Sequence, residues 1–483
     1  MYSMNTELWI QPRVEQCSEE MARPSSFLIP LDLGANGRLL LNGLTGAIDL
    51  FTQEEFRWVG LAGDSATMQS VPPALVQRGH WLAPVEEQRL VAELTARIEA
   101  ERRCGPMFFF LCPTNFCPMG CAYCIEGAAT HAATRTAMSP EMVGRAFDTM
   151  EWLGQRCRRE LGHVLLFGGE PLQAYCWDTV HAILTEARRR HIELFIFTNG
   201  LDLERYAPIL GESGDVVTGV SVTLDGSEAY HNAQRAVPDA FARAVRGIER
   251  LAEAGATVQI RTNVSRAGID QVPWLRDFYQ RRGWWRDPRF SFELAPLTNH
   301  GCRPTLDQET ITHYETASFF YSLLREDSTY GRFRFVGMFS YLYYVLRELQ
   351  LITFPPEELG AHVVVPRVHG CPANTGATFT LVSDGSLHAC NEQTGSDDVP
   401  LGTFWPEFTI DDRLIEAWLS RTVTNLPECR TCAYRFFCGG GCSLSATKRN
   451  DGDLQHGTCD SLKSDFQRFF QSIATDIVRT VRK

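Results

Sequence analysis

Between residues 106 and 300, short apolar runs alternate with longer stretches of helical periodicity. The apolar runs, read as strands, are Phe108–Cys112, His163–Phe167, Leu194–Phe197, Val217–Leu224, Thr257–Asn263 and Phe290–Leu294. Helices are expected to start near Pro140, Trp177, Leu203, Asp239 and Val272, with Ser139 capping a first-turn proline. Alternation of this kind predicts a parallel sheet. Six strands rather than eight predict an α/β fold with a partial (β/α)6 TIM-like barrel over residues 105–300.

The flanks pattern differently. Residues 1–25 are polar and aperiodic and read as a flexible arm. Over residues 26–104, Phe27–Leu31 reads as a strand, and Arg38–Leu41 and Ala47–Phe51 flank the turn signals Asn42-Gly43 and Thr45-Gly46. Helical segments follow at Gln53–Leu61, Pro73–Arg78 and Pro84–Arg102, with Gly79–Leu82 as a turn before the last. Residues 301–365 are rich in Phe and Tyr, carry helical patterns at Gln308–Arg325 and Met338–Gln350, and read as a helical bridge with a core aromatic stripe. Residues 366–483 form a cysteine-rich region closed by a helix.

A chain of 483 residues supports several domains and a large core. Its formal net charge of −12 argues against bulk nucleic-acid binding. No N-terminal segment has a secretory pattern and no apolar run reaches spanning length, so a cytoplasmic protein without membrane partners is expected. Sixteen cysteines in such a protein point to metal binding rather than disulfides, because ten of them sit at short, clustered spacings. The other six, Cys17, Cys104, Cys112, Cys157, Cys176 and Cys302, default to small buried apolar residues.

Cys117, Cys121 and Cys124 lie at C-x3-C-x2-C spacing directly after the first barrel strand. Three thiolates on one loop suit an iron–sulfur cluster and leave one iron of a four-iron group open. The loop resembles that of radical S-adenosylmethionine (SAM) enzymes, with Tyr123 before the last cysteine. The resemblance implies a [4Fe-4S] cluster whose open iron binds SAM, and a 5′-deoxyadenosyl radical that takes hydrogen from substrate. Further motifs close successive strands: Gly168-Gly169-Glu170-Pro171, Thr198-Asn199-Gly200, Ser221-Val222-Thr223-Leu224-Asp225, and Arg261-Thr262-Asn263. By the resemblance, Gly168, Gly169 and Glu170 hold the amino group of SAM, and Asn199 lines the site. Ser221, Thr223 and Asp225 contact its ribose and carboxylate region, Arg235 pairs with its carboxylate, and Asn263 and Tyr123 complete the pocket. His231 reads equally as a site residue or a core histidine. No residue is singled out as catalytic.

Cys371 and Cys390 frame Gly385, followed by C-x2-C-x5-C-x3-C at Cys429, Cys432, Cys438 and Cys442, then Cys459. A zinc ribbon is the plain alternative, but seven cysteines fit it poorly. The pattern resembles the SPASM extension of radical SAM enzymes, which implies two auxiliary iron–sulfur clusters. Cys371, Cys390 and Cys442 would bind the first, with Cys302 as a distant candidate fourth ligand. Cys429, Cys432, Cys438 and Cys459 would bind the second. The segment 26–104 in turn resembles winged-helix-like recognition domains that take a leader peptide onto a sheet edge. Together these resemblances imply a maturase of a ribosomally made precursor peptide, forming a crosslink, thioether or epimer, with flavodoxin or ferredoxin as reductant. Two other readings are a sulfatase-type formylglycine-generating maturase and an iron–sulfur electron-transfer protein. The first is lowered because Asn391 stands where those relatives have an Asp base, and Glu392 points away if the segment is extended.

Overall fold

The structure is a computed structural model that describes residues 9–12, 22–58, 72–124, 126–127, 134–298, 309–335, 340–352, 365–394, 398–459 and 461–481. In the N-terminal unit β1 (Arg23–Pro24) precedes an antiparallel sheet of β2 (Leu28–Asp32), β3 (Arg38–Asn42) and β4 (Ile48–Phe51). Helices α1 (Gln53–Trp58), α2 (Pro73–Gln77) and α3 (Pro84–Cys104) follow. The expected turn at 79–82 is instead partly β5 (Trp81–Leu82), which pairs with β1. Within the stretch read as an arm, Ile10 is buried and Trp9 packs on Tyr344 and Phe437 at 5.5 and 5.6 Å between ring centroids. Apolar side chains, which pay to stay in water, fix these residues to the body.

The barrel follows as β6 (Met107–Cys112), α4 (Pro140–Cys157), β7 (Leu161–Leu166), α5 (Trp177–Arg190), β8 (Glu193–Thr198), α6 (Leu203–Glu212) and β9 (Val217–Thr223). It continues through α7 (Glu228–Arg235), α8 (Ala240–Glu253), β10 (Val258–Val264), α9 (Gln271–Arg281) and β11 (Phe290–Pro296). All six strands pair in parallel and in sequence order. Helix α8 shows why they hold. Its Phe241, Ala244, Val245, Ile248 and Leu251 form one buried stripe, the larger ones contributing about 1.5–3 kcal/mol each. Gly255, at φ +86°, ends the helix in a left-handed turn.

Two further parallel strands extend the array. Between α10 (His313–Glu326) and α11 (Ser340–Glu348), β12 (Phe333–Phe335) adds to β11 inside the stretch expected to be helical. On the opposite edge β13 (Thr378–Val382) adds to β6 and turns into the antiparallel β14 (Ser386–His388), β15 (Gly402–Thr403) and β16 (Thr409–Ile410). No pairing joins β12 to β13 among the described residues, so the barrel is open. Helices α12 (Asp412–Leu419), α13 (Arg435–Cys438), α14 (Ser443–Arg449), α15 (Leu462–Ser472) and α16 (Ala474–Val481) complete the chain. Helix α15 covers β2, where the Gln467 side chain accepts from the Asp32 N–H and donates to its carbonyl.

The strand alternation gives the barrel interior two kinds of wall. Phe292 and Phe333 stack outward on Tyr279 and Trp285, so Glu293 and Arg334 face inward. Glu293 is buried and accepts from both Arg261 and Arg334 on the neighbouring strands. Across from them the rings of Phe108, Phe110, Phe167, Phe197 and Phe195 touch in series. No helix among the described residues is long and apolar enough to cross a membrane.

Candidate functional site

The cysteine loop leaves the C-terminal end of β6 and is fastened from two sides. The Gly120 and Ala122 amides donate to the carbonyls of Arg235 and Gln234 at 3.2 Å, satisfying the end of α7. From the other side, the Glu170 amide and the Gln173 side chain donate to the Phe116 carbonyl at 3.0 and 2.7 Å. The three thiols are half-buried. Cys117 lies 3.7 Å from Asn199 Nδ2 and Cys121 lies 3.5 Å from Arg235 Nη1. Burial, with Glu126 adding, pushes the Cys124 thiol up to about 11, and burial with nearby Glu170 pushes Cys117 up too.

Asp225 is the hub beneath this loop. Its Oδ2 accepts from Tyr123 Oη at 2.6 Å and Arg235 Nε at 2.9 Å, and its Oδ1 accepts from Asn263 N and Nδ2 at 3.1 and 3.4 Å. These donors use a carboxylate's whole acceptor capacity. Asp225 thereby holds Tyr123, Arg235 and Asn263 in place. Burial raises its pKa, but the Arg235 charge, the Tyr123 hydroxyl and the Asn263 amide outweigh burial and hold it below the usual range. His231 Nδ1 accepts from the Asp225 amide at 3.2 Å, and burial, against Asp225, lowers its pKa to about 4. It is a buried neutral histidine, the core reading of the two.

The Gly-Gly-Glu segment lies against the loop itself. A Cβ on Gly169, at φ +49°, would stand 2.6 Å from the Phe116 carbonyl oxygen and 2.7 Å from that of Thr114. Gly169 thus packs its backbone directly on the loop. One on Gly168 would stand 2.6 Å from the Cys112 sulfur, which is buried as its composition default implied. Glu170 accepts from Thr198 Oγ1 and Leu172 N on Oε1 and from Asn199 N on Oε2. One acceptor position on Oε2 stays open for a ligand ammonium. Burial pushes Glu170 up to about 7 despite these donors. Glu126, which no motif marked, accepts from the Gly169 amide at 2.9 Å and is likewise raised to about 7 by burial.

Several buried polar atoms around the hub lack protein partners: Ser221 Oγ, Arg235 Nη2 and Asn115 Oδ1. Buried polar atoms are costly when unsatisfied, so such a set marks where a polar ligand would bind. Thr223 stands beside it, half-exposed at the end of β9. The thiols, the open Glu170 acceptor and the free guanidinium nitrogen fit a thiolate-held cluster with an amino-acid ligand.

All seven C-terminal cysteines, Cys371, Cys390, Cys429, Cys432, Cys438, Cys442 and Cys459, line one cavity of about 580 Å³. Phe108 and Phe110 line it too, so it meets the aromatic wall of the barrel. Burial pushes the Cys371, Cys390 and Cys438 thiols up, and Cys429 to about 12. Asn391 and Glu392 also face this cavity, because residues 391–393 make a helical turn rather than the extended segment expected. Among the described residues no three His, Cys, Asp or Glu side chains converge on a single-ion position. Cys302 lies outside the described residues.

Similarities to known proteins bear on this arrangement. An AdoMet-dependent heme synthase of Oleidesulfovibrio alaskensis is 26% identical over 181 residues, 35% of this chain, and the match spans only 40% of that relative. In fold, the chain is similar to SuiB of Streptococcus suis bound to precursor peptide SuiA, with TM-score 0.54 and 15% identity over 91% of this chain and 99% of that one. It is also similar to anSMEcpe with bound AdoMet, with TM-score 0.56 and 16% identity over 78% of this chain and 95% of that one. Residues 111–267, from the end of β6 through β10, match the family described as the Radical SAM superfamily. The chain therefore contains a radical SAM domain, with the C-x3-C-x2-C loop and its Asp225 hub inside the matched region.

Proposed function

We propose that the chain is a radical SAM maturase that modifies a ribosomally made peptide, and that its C-terminal cysteines hold two auxiliary clusters. The observation that carries this is the single cavity that joins all seven C-terminal cysteines to Phe108 and Phe110 of the barrel. Cys117, Cys121 and Cys124 would hold the cluster of the radical SAM domain. Cys371, Cys390 and Cys442 would hold the first auxiliary cluster, and Cys429, Cys432, Cys438 and Cys459 the second. When bound, the cluster and SAM supply a reducing electron and a radical that removes hydrogen from an unactivated carbon. The chain's own residues orient and shield that chemistry. Glu170 would offer one acceptor to the SAM ammonium, Arg235 would pair with its carboxylate, and Ser221 would take a polar ribose or carboxylate atom. The aromatic wall of Phe108, Phe110, Phe167 and Phe197 excludes water beside the reacting carbon. A flavodoxin or ferredoxin would supply electrons.

A leader segment would add to the outer edge of β4. The Ile48 carbonyl points outward, since it accepts from Arg78 Nη2 at 2.9 Å, so the backbone groups of Leu50 face the same way. No strand pairs with that edge among the described residues, whereas α15 covers the β2 edge. Extended peptides bind sheets in this manner.

Glu392 in the cavity supports a second reading, oxidation of a substrate cysteine or serine with Glu392 as base. Co-expression with short neighbouring reading frames, followed by intact mass, fragmentation and chiral amino-acid analysis, separates these outcomes. A crosslink or thioether removes two hydrogens, an epimer is isobaric, and formylglycine from serine removes two hydrogens at a single residue. Unmodified peptides throughout, from a chain that cleaves SAM, would remove the peptide-maturase reading. Iron content tests the clusters, since Cys371→Ala and Cys429→Ala must each lower it.

A further inference from the structure

Arg421 is among the largest side chains that are fully buried. Its guanidinium donates to four backbone carbonyls, those of Leu454 at 2.8 Å, Gly441 at 3.1 Å, Gly440 at 3.0 Å and His456 at 2.7 Å. Among the described residues no carboxylate forms an ion pair with it. A buried charge normally keeps a counter-charge, because taking an ion out of water is costly. Carbonyl dipoles alone offset only part of this.

The position of the charge supplies the rest. Gly440 and Gly441 lie between Cys438 and Cys442, and Leu454 and His456 lie just ahead of Cys459. A Cβ built on Gly440 would stand 3.7 Å from Arg421 Nη1 and 3.8 Å from Cys429 Sγ. The Gly440 and Gly441 carbonyls that Arg421 holds join Cys438 of one proposed ligand set to Cys442 of the other. One fixed cation thus sits within reach of both sets.

We infer that Arg421 is the shared counter-charge of the two auxiliary clusters, a positioning residue whose buried cation stabilises their reduced, more negative forms and raises both reduction potentials together. The inference rests on the two-cluster reading above. Net charge and buried surroundings are established controls on iron–sulfur potentials. The same guanidinium also ties the cysteine-bearing segments to one another, so a purely mechanical clamp is the competing account.

The test uses the full chain carrying Cys117→Ala, Cys121→Ala and Cys124→Ala, so that only auxiliary clusters contribute. Iron and sulfide are counted first, and their absence would overturn the two-cluster reading itself. Redox titration followed by electron paramagnetic resonance then compares this chain with Arg421→Gln and Arg421→Lys. In Arg421→Gln both midpoints move to more negative potential while iron content is kept. In Arg421→Lys, which keeps the charge, both stay near the parent. Unchanged midpoints in an iron-loaded Arg421→Gln chain would overturn the inference. If Arg421→Gln does not retain iron, Arg421→Lys decides: parental midpoints support the shared counter-charge, and a negative shift despite the retained cation refutes it.

Discussion

Replacing Asp225 with alanine would release the parts that surround the cysteine loop. Asp225 and Arg235 are both buried, and the carboxylate also receives Tyr123 and Asn263. Removing one partner of a buried pair leaves an uncompensated charge and costs about 3–5 kcal/mol. The cost falls on α7, whose last carbonyls accept from Gly120 and Ala122. Hydrogen exchange at those two amides reads it directly. In the iron-loaded chain Asp225→Ala should lower their protection about 150- to 5000-fold, up to the limit set by global unfolding. Arg235→Met alone should do the same, because it strands the carboxylate. The double variant Asp225→Ala/Arg235→Met should recover part of the loss, with a coupling of about 2 kcal/mol, since removing both charges is far cheaper than removing one. Protection unchanged in Asp225→Ala, or losses that simply add in the double variant, would refute the hub.

Other consequences follow from single positions. Gly169→Ala places a methyl against the Thr114 and Phe116 carbonyls at a positive φ, so iron at the Cys117–Cys124 loop should be lost while C-terminal iron stays; equal loss from both regions would contradict this. His231 is buried with a pKa near 4, below its usual 6.5, so it takes up a proton on unfolding. Its contribution of about 3 kcal/mol is complete above pH 6.5 and is lost as pH falls towards 4, so unfolding curves between those limits should be flatter for His231→Asn than for the parent. Leu50→Pro removes an outward N–H from the β4 edge without breaking the sheet, and should weaken peptide binding more than tenfold while leaving SAM cleavage without peptide unchanged.

The barrel was legible because each strand is a compact apolar run and each crossover helix carries its own periodic stripe, as in α8. The motifs at strand ends were legible for the same reason, since parallel strands bring their C-terminal ends to one mouth. What the residues do there was less so. Gly169 packs on the loop backbone and Asp225 gathers Tyr123, Arg235 and Asn263, contacts that no local motif announces. These roles depend on partners up to 102 residues away, as in the Tyr123–Asp225 bond. Glu126 and Arg421 carry no local pattern, because a lone acid or base becomes notable only once its burial is known. Strand β12 is three residues inside an aromatic helical stretch, and β13 finds β6 across more than 260 residues, so neither has a short-range signature.

The loop, the hub and the open acceptor of Glu170 are expected to act together on SAM. The most direct measurement is 5′-deoxyadenosine released by the iron-loaded chain under anaerobic conditions with SAM and a strong reductant, compared with the Cys117→Ala/Cys121→Ala/Cys124→Ala chain. The parent should form 5′-deoxyadenosine and the triple variant none. No product from a fully loaded parent, or equal product from both chains, would refute SAM cleavage at the Cys117–Cys124 loop.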